Sequence, residues 1–153
     1  MTTLIAAVGE NGGIGLNGHL PWTGLRGELR WFRRATEGRT LLMGRRTAEG
    51  LPSALPGRQI VVVSSAPFPG RETYPDPDSA LAAHPDAWVA GGAALYAATL
   101  PRADRMLLTR VRGQYEADTF FPTLPETGWE LRRLPDEGDE GWHVEEWIRI
   151  AAK

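Results

Sequence analysis

The chain has 153 residues, of which 42% are hydrophobic and 24% charged, and a net charge of -2. These values describe one ordinary globular domain, with no basic field to attract nucleic acid or an anionic membrane. The absence of cysteine removes disulfides, thiolate nucleophiles and cysteine-bound zinc together, and no segment reaches the roughly 20 apolar residues of a membrane span.

Leu4 to Val8 form a short apolar run closed by Gly9 and Glu10, which predicts a buried strand. The N-terminal residues 1–8 lack a basic segment and the run is too short for a signal peptide, so the cytoplasm is the expected location. A glycine-rich stretch follows and meets a rigid Leu20-Pro21-Trp22 corner. Residues 25–36 then have helical spacing. Leu25, Leu29, Phe32 and Ala35 share one stripe, Arg26, Arg30, Arg33 and Arg34 lie mostly outside it, and Gly38 supplies a stop.

Residues 40–43 predict a second buried strand, which Gly44-Arg45-Arg46-Thr47 turns into a short helical piece ending near Leu51-Pro52. A turn over Leu55-Pro56-Gly57-Arg58 leads to the clearest strand, 59–63, with its run of β-branched residues. Ser64-Ser65 ends that strand, and prolines at 67, 69, 75 and 77 mark loops around a brief edge segment near Glu72-Thr73. A short helix is expected over 78–83, capped by Asp78 or Ser79. Then come a strand over 87–90, a Gly91-Gly92 turn, and a helix from Ala93 to Leu100 stopped by Pro101. Further strands are predicted at 105–111, near 129–133 and at 143–150, the last two joined by an acidic hairpin connection over 135–141. No internal repeat or long linker appears. Strands alternating with helices, then two terminal strands, predict an α/β mixed sheet with helices on both faces.

Gly13-Ile14-Gly15-Leu16-Asn17-Gly18 matches the G-x-G-x-x-G dinucleotide fingerprint after a strand. That fingerprint must open a helix, and Pro21 three residues later refuses it, so the stretch reads as a mobile loop or merely a long surface loop. Glu28 is neighboured on its helix by Leu25, Leu29 and Phe32, inside the apolar arc. Desolvation there raises a carboxyl pKa and suits proton delivery. Binding an amidine-like ligand face, or a border glutamate paired with an arginine one turn away, accounts for the same spacing.

Arg45-Arg46-Thr47 and Ser64-Ser65 each follow a strand, at the sheet edge where nucleotides bind, and the paired arginines suit the 2'-phosphate of NADP; the plainer reading is a solvated basic turn. Gly91-Gly92 lets the backbone approach a pyrophosphate, or is simply a tight turn. His19, His84 and His143 lack metal-ligand spacing, so no metal site is proposed.

Taken together, these stretches resemble dihydrofolate reductase nearly end to end. The matching pieces are Leu4-Ile5-Ala6-Ala7, Ile14-Gly15, Leu20-Pro21-Trp22, Glu28-Leu29 with Trp31-Phe32, and Met43-Gly44-Arg45 with Thr47. They continue with Leu55-Pro56-Gly57-Arg58, Ser64-Ser65, Gly91-Gly92 with Leu95-Tyr96, Leu108-Thr109, and Asp118-Thr119 with Phe121-Pro122. The resemblance implies an eight-stranded mixed, mainly parallel sheet in a single domain 1–153, with a nucleotide-binding subdomain near 39–90. It further implies a monomer that transfers hydride from NADPH to dihydrofolate, yielding tetrahydrofolate.

By the same resemblance, Glu28 binds the pterin N3 and 2-amino group and promotes N5 protonation through water, Thr109 hydrogen-bonds that carboxylate, and Trp22 holds the water. Ile5, Leu29, Phe32, Leu51 and Leu55 would line the pterin and benzoyl pocket, and Arg58 would pair with the α-carboxylate of the glutamate tail. Ala7, Ile14, Gly15 and Leu20 would flank the nicotinamide, with Gly91, Gly92, Ala93, Leu95 and Tyr96 beneath it. Gly44, Arg45, Arg46, Thr47, Ser64 and Ser65 would hold the phosphates.

Four alanines depart from the family pattern: Ala48 where tryptophan is frequent, Ala90 where a bulkier aliphatic sits, and Ala93-Ala94 after the double glycine. They bear on the tightness of the inner pocket and the grip on pyrophosphate. The rival readings are a related pyrimidine reductase of riboflavin synthesis and a non-catalytic nucleotide- or folate-binding protein.

Overall fold

A computed structural model describes residues 1–23, 25–51 and 56–150. Its elements in chain order are β1 (Thr3–Gly9), β2 (Gly13–Gly15), α1 (Arg26–Thr36), β3 (Thr40–Gly44), α2 (Arg45–Glu49), β4 (Gln59–Val63) and β5 (Glu72–Tyr74). They continue with α3 (Pro77–Ala83), β6 (Trp88–Val89), α4 (Ala93–Thr99), β7 (Arg105–Val111), β8 (Thr119–Phe120), β9 (Trp129–Asp139) and β10 (Trp142–Arg149). Eight strands form one sheet in the order β5-β4-β3-β6-β1-β7-β10-β9. Pairing is parallel from β5 through β7 and antiparallel where β10 joins β7 and β9. The sheet is therefore mixed and mainly parallel, as the sequence implied.

Alternation along the central strands divides the core into two layers. Ile5, Leu41, Met43, Ile60, Val62 and Leu107 pack on one face with Trp31, Phe32 and Ala35 of α1. Leu4, Leu42, Val61, Val89, Met106 and Leu108 pack on the other with Leu81 of α3 and Leu95 and Tyr96 of α4. Both faces of these strands are covered, which is why they read as continuous apolar runs rather than alternating ones. The same parity puts Ala7 and Thr109, paired across β1 and β7, on the α1 face.

Several boundaries differ from expectation for identifiable reasons. The cap of α3 is Asp76, whose carboxylate accepts from the Ser79 amide at 2.7 Å, and Pro77 occupies the first turn. Neither Asp78 nor Ser79 is the cap. Helix α4 stops at Thr99 and tightens into a 3-10 turn over Leu100–Arg102 that accommodates Pro101. Strand β9 runs through the expected hairpin connection to Asp139, so only Glu140 and Gly141 turn the chain. Pro135 is tolerated because β9 lies at the sheet edge.

The glycine-rich stretch holds an unpredicted strand, β2, which pairs with β8. Gly38, at a φ of +74°, does end α1. No described helix is long and apolar enough to cross a membrane.

Candidate active site

Glu28 sits in the first turn of α1 and is 5% exposed, the only buried carboxylate among the described residues. A helix N-terminus favours a negative charge, but burial outweighs that field and pushes the Glu28 carboxyl up to about 7. Near neutral pH the group therefore divides between acid and carboxylate. Among the described residues no hydrogen bond or neighbouring charge contributes to the shift. Thr109 is buried on the facing strand, yet the Thr109–Glu28 hydrogen bond implied by the resemblance is not formed in this structure.

Trp22 lies buried ahead of α1, and its Nε1 donor has no acceptor among the described residues. Its ring meets Tyr115 edge-on at 5.9 Å. Phe32 and Leu51 pack against the α1-side core, Ile5 is buried on β1, and Leu29 of α1 is half exposed. Leu55 lies outside the described residues. Arg58 spends three of its donors on the protein: Nε to Thr36 Oγ1 at 2.8 Å, Nη1 to the Pro56 carbonyl at 2.7 Å, and Nη2 to the Arg33 carbonyl. A guanidinium has five N–H groups, so among the described residues one on each terminal nitrogen remains for a carboxylate.

The C-terminal ends of neighbouring strands β3 and β6 bring a second group of residues together. The Gly44 amide donates to the Gly91 carbonyl at 2.8 Å. Gly91 has a φ of +120°, and the Gly91–Gly92 peptide is cis. A Cβ on either glycine would sit in van der Waals contact with Thr47 Oγ1 at 3.5 Å and fill that gap, and the φ of Gly91 itself favours glycine. Helices α2 and α4 start at Gly44 and Gly92 with no side-chain cap, unlike α3 with its Asp76. Leu95 and Tyr96 are buried under this turn, and the Tyr96 hydroxyl donates to the Ile5 carbonyl at 2.7 Å.

Arg45 Nη1 donates to Ser64 Oγ at 3.4 Å and to the Pro67 carbonyl, while Nε pairs with Glu49 at 3.0 Å. Arg46 and Ser65 are exposed, and Ala93 half-buried, at the same strand ends.

The loop between β1 and α1 is tethered more firmly than a mobile glycine stretch suggests. Ile14 and Gly15 lie in or beside β2, the Asp118 amide donates to the Gly15 carbonyl at 2.9 Å, and the Asp118 carboxylate accepts from the Asn17 amide at 3.0 Å. Asn11 accepts from Gly13 and donates to the Tyr115 carbonyl. Leu20 is 44% exposed at the loop's end. Asn11, Tyr115 and Asp118 had no assigned role from sequence. The only available signal was an Asx residue two before a glycine, which predicts a local turn and not a contact 104 residues away.

A family model for dihydrofolate reductase matches residues 1–144. The chain belongs to the dihydrofolate reductase family. It is 43% identical over 147 residues to dihydrofolate reductase type 3 of Salmonella typhimurium, covering 92% of this chain and 90% of that one. The dihydrofolate reductase of Bacillus subtilis is 35% identical over 86% of this chain and 81% of its own. Among solved structures, dihydrofolate reductase from Enterococcus faecalis, complexed with NADP(H) and RAB-propyl, superposes with a TM-score of 0.86 at 30% identity. That match covers 97% of this chain and 96% of the other.

Proposed function

We propose that this chain reduces 7,8-dihydrofolate to 5,6,7,8-tetrahydrofolate with NADPH, and that Glu28 supplies the proton-handling group. The observation that carries the assignment of roles is the burial of Glu28, which holds its carboxyl near pH 7 on the face it shares with Ile5, Ala7 and Thr109.

The residues present fit a nicotinamide dinucleotide. The uncapped starts of α2 and α4 offer free backbone N–H groups, the Gly91-Gly92 gap against Thr47 admits a phosphate, and Arg45, Arg46, Ser64 and Ser65 lie at the same edge. We assign the phosphates to these residues and read residues near 39–90 as the nucleotide-binding subdomain. Ala7, Ile14, Gly15, Leu20 and the Leu95–Tyr96 floor are assigned to the nicotinamide end. NADPH, when bound, supplies the hydride that reduces C6 of the pterin.

The remaining work belongs to the protein. Glu28 accepts hydrogen bonds from the pterin N3 and 2-amino group as carboxylate and, having a pKa near neutrality, draws a proton toward N5. Trp22 Nε1, buried without an acceptor among the described residues, is the donor we assign to the water that relays this proton. Leu29, Phe32, Leu51 and Ile5, with Leu55 by the resemblance, are assigned to hold the pterin and benzoyl rings out of water, and the Arg58 N–H groups without a partner among the described residues to take the α-carboxylate of the glutamate tail. The enzyme is assigned as a cytoplasmic monomer without nucleic-acid partners, in keeping with its net charge of -2.

The test is NADPH oxidation by purified protein, with dihydrofolate and the ribosylaminopyrimidine of riboflavin synthesis offered separately. Turnover of dihydrofolate alone is expected, and its absence between pH 6 and 7 overturns the assignment.

A separate expectation concerns Arg58→Leu. It raises the KM for dihydrofolate by about ten- to a hundredfold, the worth of a charge-assisted pair. It leaves a pterin lacking the glutamate tail almost unaffected. Equal losses for both substrates would place Arg58 in the fold alone, through its bonds to Thr36 and Arg33.

A further inference from the structure

The depth of Glu28 in the protein depends on what lies under the first turn of α1. Gly27 immediately precedes it, and a Cβ there would stand 3.1 Å from Cζ2 of Trp142 and 3.4 Å from its Nε1. Trp142 opens β10 opposite Val111, its side chain is buried, and its parity puts it on the α1 face together with Val144, the partner of Thr109. We propose that Gly27 and Trp142 form the seat that fixes how deeply Glu28 is buried, so that Gly27 is a positioning residue for proton delivery. This rests on the role given to Glu28 under the proposed function.

The backbone that carries the ring is held on both sides, by Val111 of β7 and Asp139 of β9. The adjacent turn is held by the Arg112 amide on the Gly141 carbonyl at 2.9 Å and the Gly141 amide on Asp139 Oδ1 at 2.7 Å. By contrast, the start of α1 has no side-chain cap. Its far end is tied to β9 by Arg34 and Glu137 at 2.8 Å and to Arg58 through Thr36. A side chain at position 27 therefore lifts the first turn rather than moving the indole. Lifting it admits water to the Glu28 carboxyl, whose only source of perturbation among the described residues is burial.

The groups on the elements packed there do not substitute for that burial. On β7 Thr109 is neutral, on β10 Val144 is apolar, and on the β9 hairpin Glu137 pairs with Arg34 and Asp139 accepts from the Gly141 amide.

Gly27→Ala separates this role from a structural one, because alanine raises helix propensity by about 1 kcal/mol and favours folding. The readout is the titration of the Glu28 carboxyl carbon by NMR in ligand-free protein, assigned by its loss in Glu28→Gln. In the native chain the midpoint is expected near 7. In Gly27→Ala it is expected to fall by half a pH unit or more, equivalent to about a threefold smaller protonated fraction at alkaline pH. Gly27→Ala combined with Trp142→Phe, whose smaller ring accepts the Cβ, is expected to recover at least part of that loss. An unchanged midpoint in Gly27→Ala, or a lowered one that the double variant does not recover, overturns the proposal. Because the titration needs no turnover, a protein that fails to reduce dihydrofolate but shows these shifts refutes the proposed function and leaves the seat standing.

Discussion

Glu28→Gln is expected to lower dihydrofolate turnover at pH 7 by about a hundredfold or more, the usual worth of a positioned acid–base group. Glutamine keeps the size of the side chain and can still hydrogen-bond the pterin, but it cannot exchange a proton. Binding of NADPH is expected to change by less than about twofold, since the phosphate-holding residues start from other elements, at Gly44 and Gly92. A loss confined to KM, with kcat preserved, would assign Glu28 to substrate binding and remove it from proton transfer. Steady-state kinetics with fluorescence titration of NADPH decides between the two.

The same substitution is expected to stabilise the fold at alkaline pH. The unfolded carboxyl titrates near its ordinary 4.5 and the folded one near 7. Below about pH 4.5 both states hold the proton and Glu28 costs nothing through linkage. Between 4.5 and 7 the unfolded state releases its proton first, so the folded protein binds more protons and stability falls as pH rises. Above 7 the penalty is complete, about 3 kcal/mol from the separation of the two values.

Glu28→Gln removes it, while the burial of a neutral polar side chain is common to both proteins. The variant should melt several degrees higher than the native chain at pH 9 and close to it at pH 4.5. A difference in melting temperature independent of pH would show that ionisation of Glu28 is not what the fold bears.

The fold was legible in sequence wherever burial on both faces wrote an apolar run, as at β1, β3, β4 and β7, because such strands need no partner to be recognised. Strand β2 was not legible, since three residues, two of them glycine, carry no strand preference and pair only because β8 arrives from a distant loop. The cap of α3 was misplaced by two residues because Asp76, Asp78 and Ser79 are all good caps and only backbone geometry selects among them.

At the site, Glu28 was marked by its position within an apolar arc, and the family pattern raised it above the alternatives. Arg58 was visible as a cation, but its two bonds to α1 were not, since they join residues 22 and 25 apart through a side chain. The seat made by Gly27 and Trp142 was equally silent. A glycine in a helix reads as a weakness, and a tryptophan 115 positions later reads as packing, until the two are seen to face each other.

The central claim is that a buried glutamic acid with a pKa near 7 governs proton delivery. The most direct measurement is the pH dependence of the single-turnover hydride-transfer rate from NADPH to dihydrofolate. The rate should be highest on the acid side and fall about tenfold per pH unit above a midpoint near 7. That dependence should vanish in Glu28→Gln. A profile flat from pH 5 to 9 in the native enzyme, or one that Glu28→Gln leaves unchanged, contradicts it.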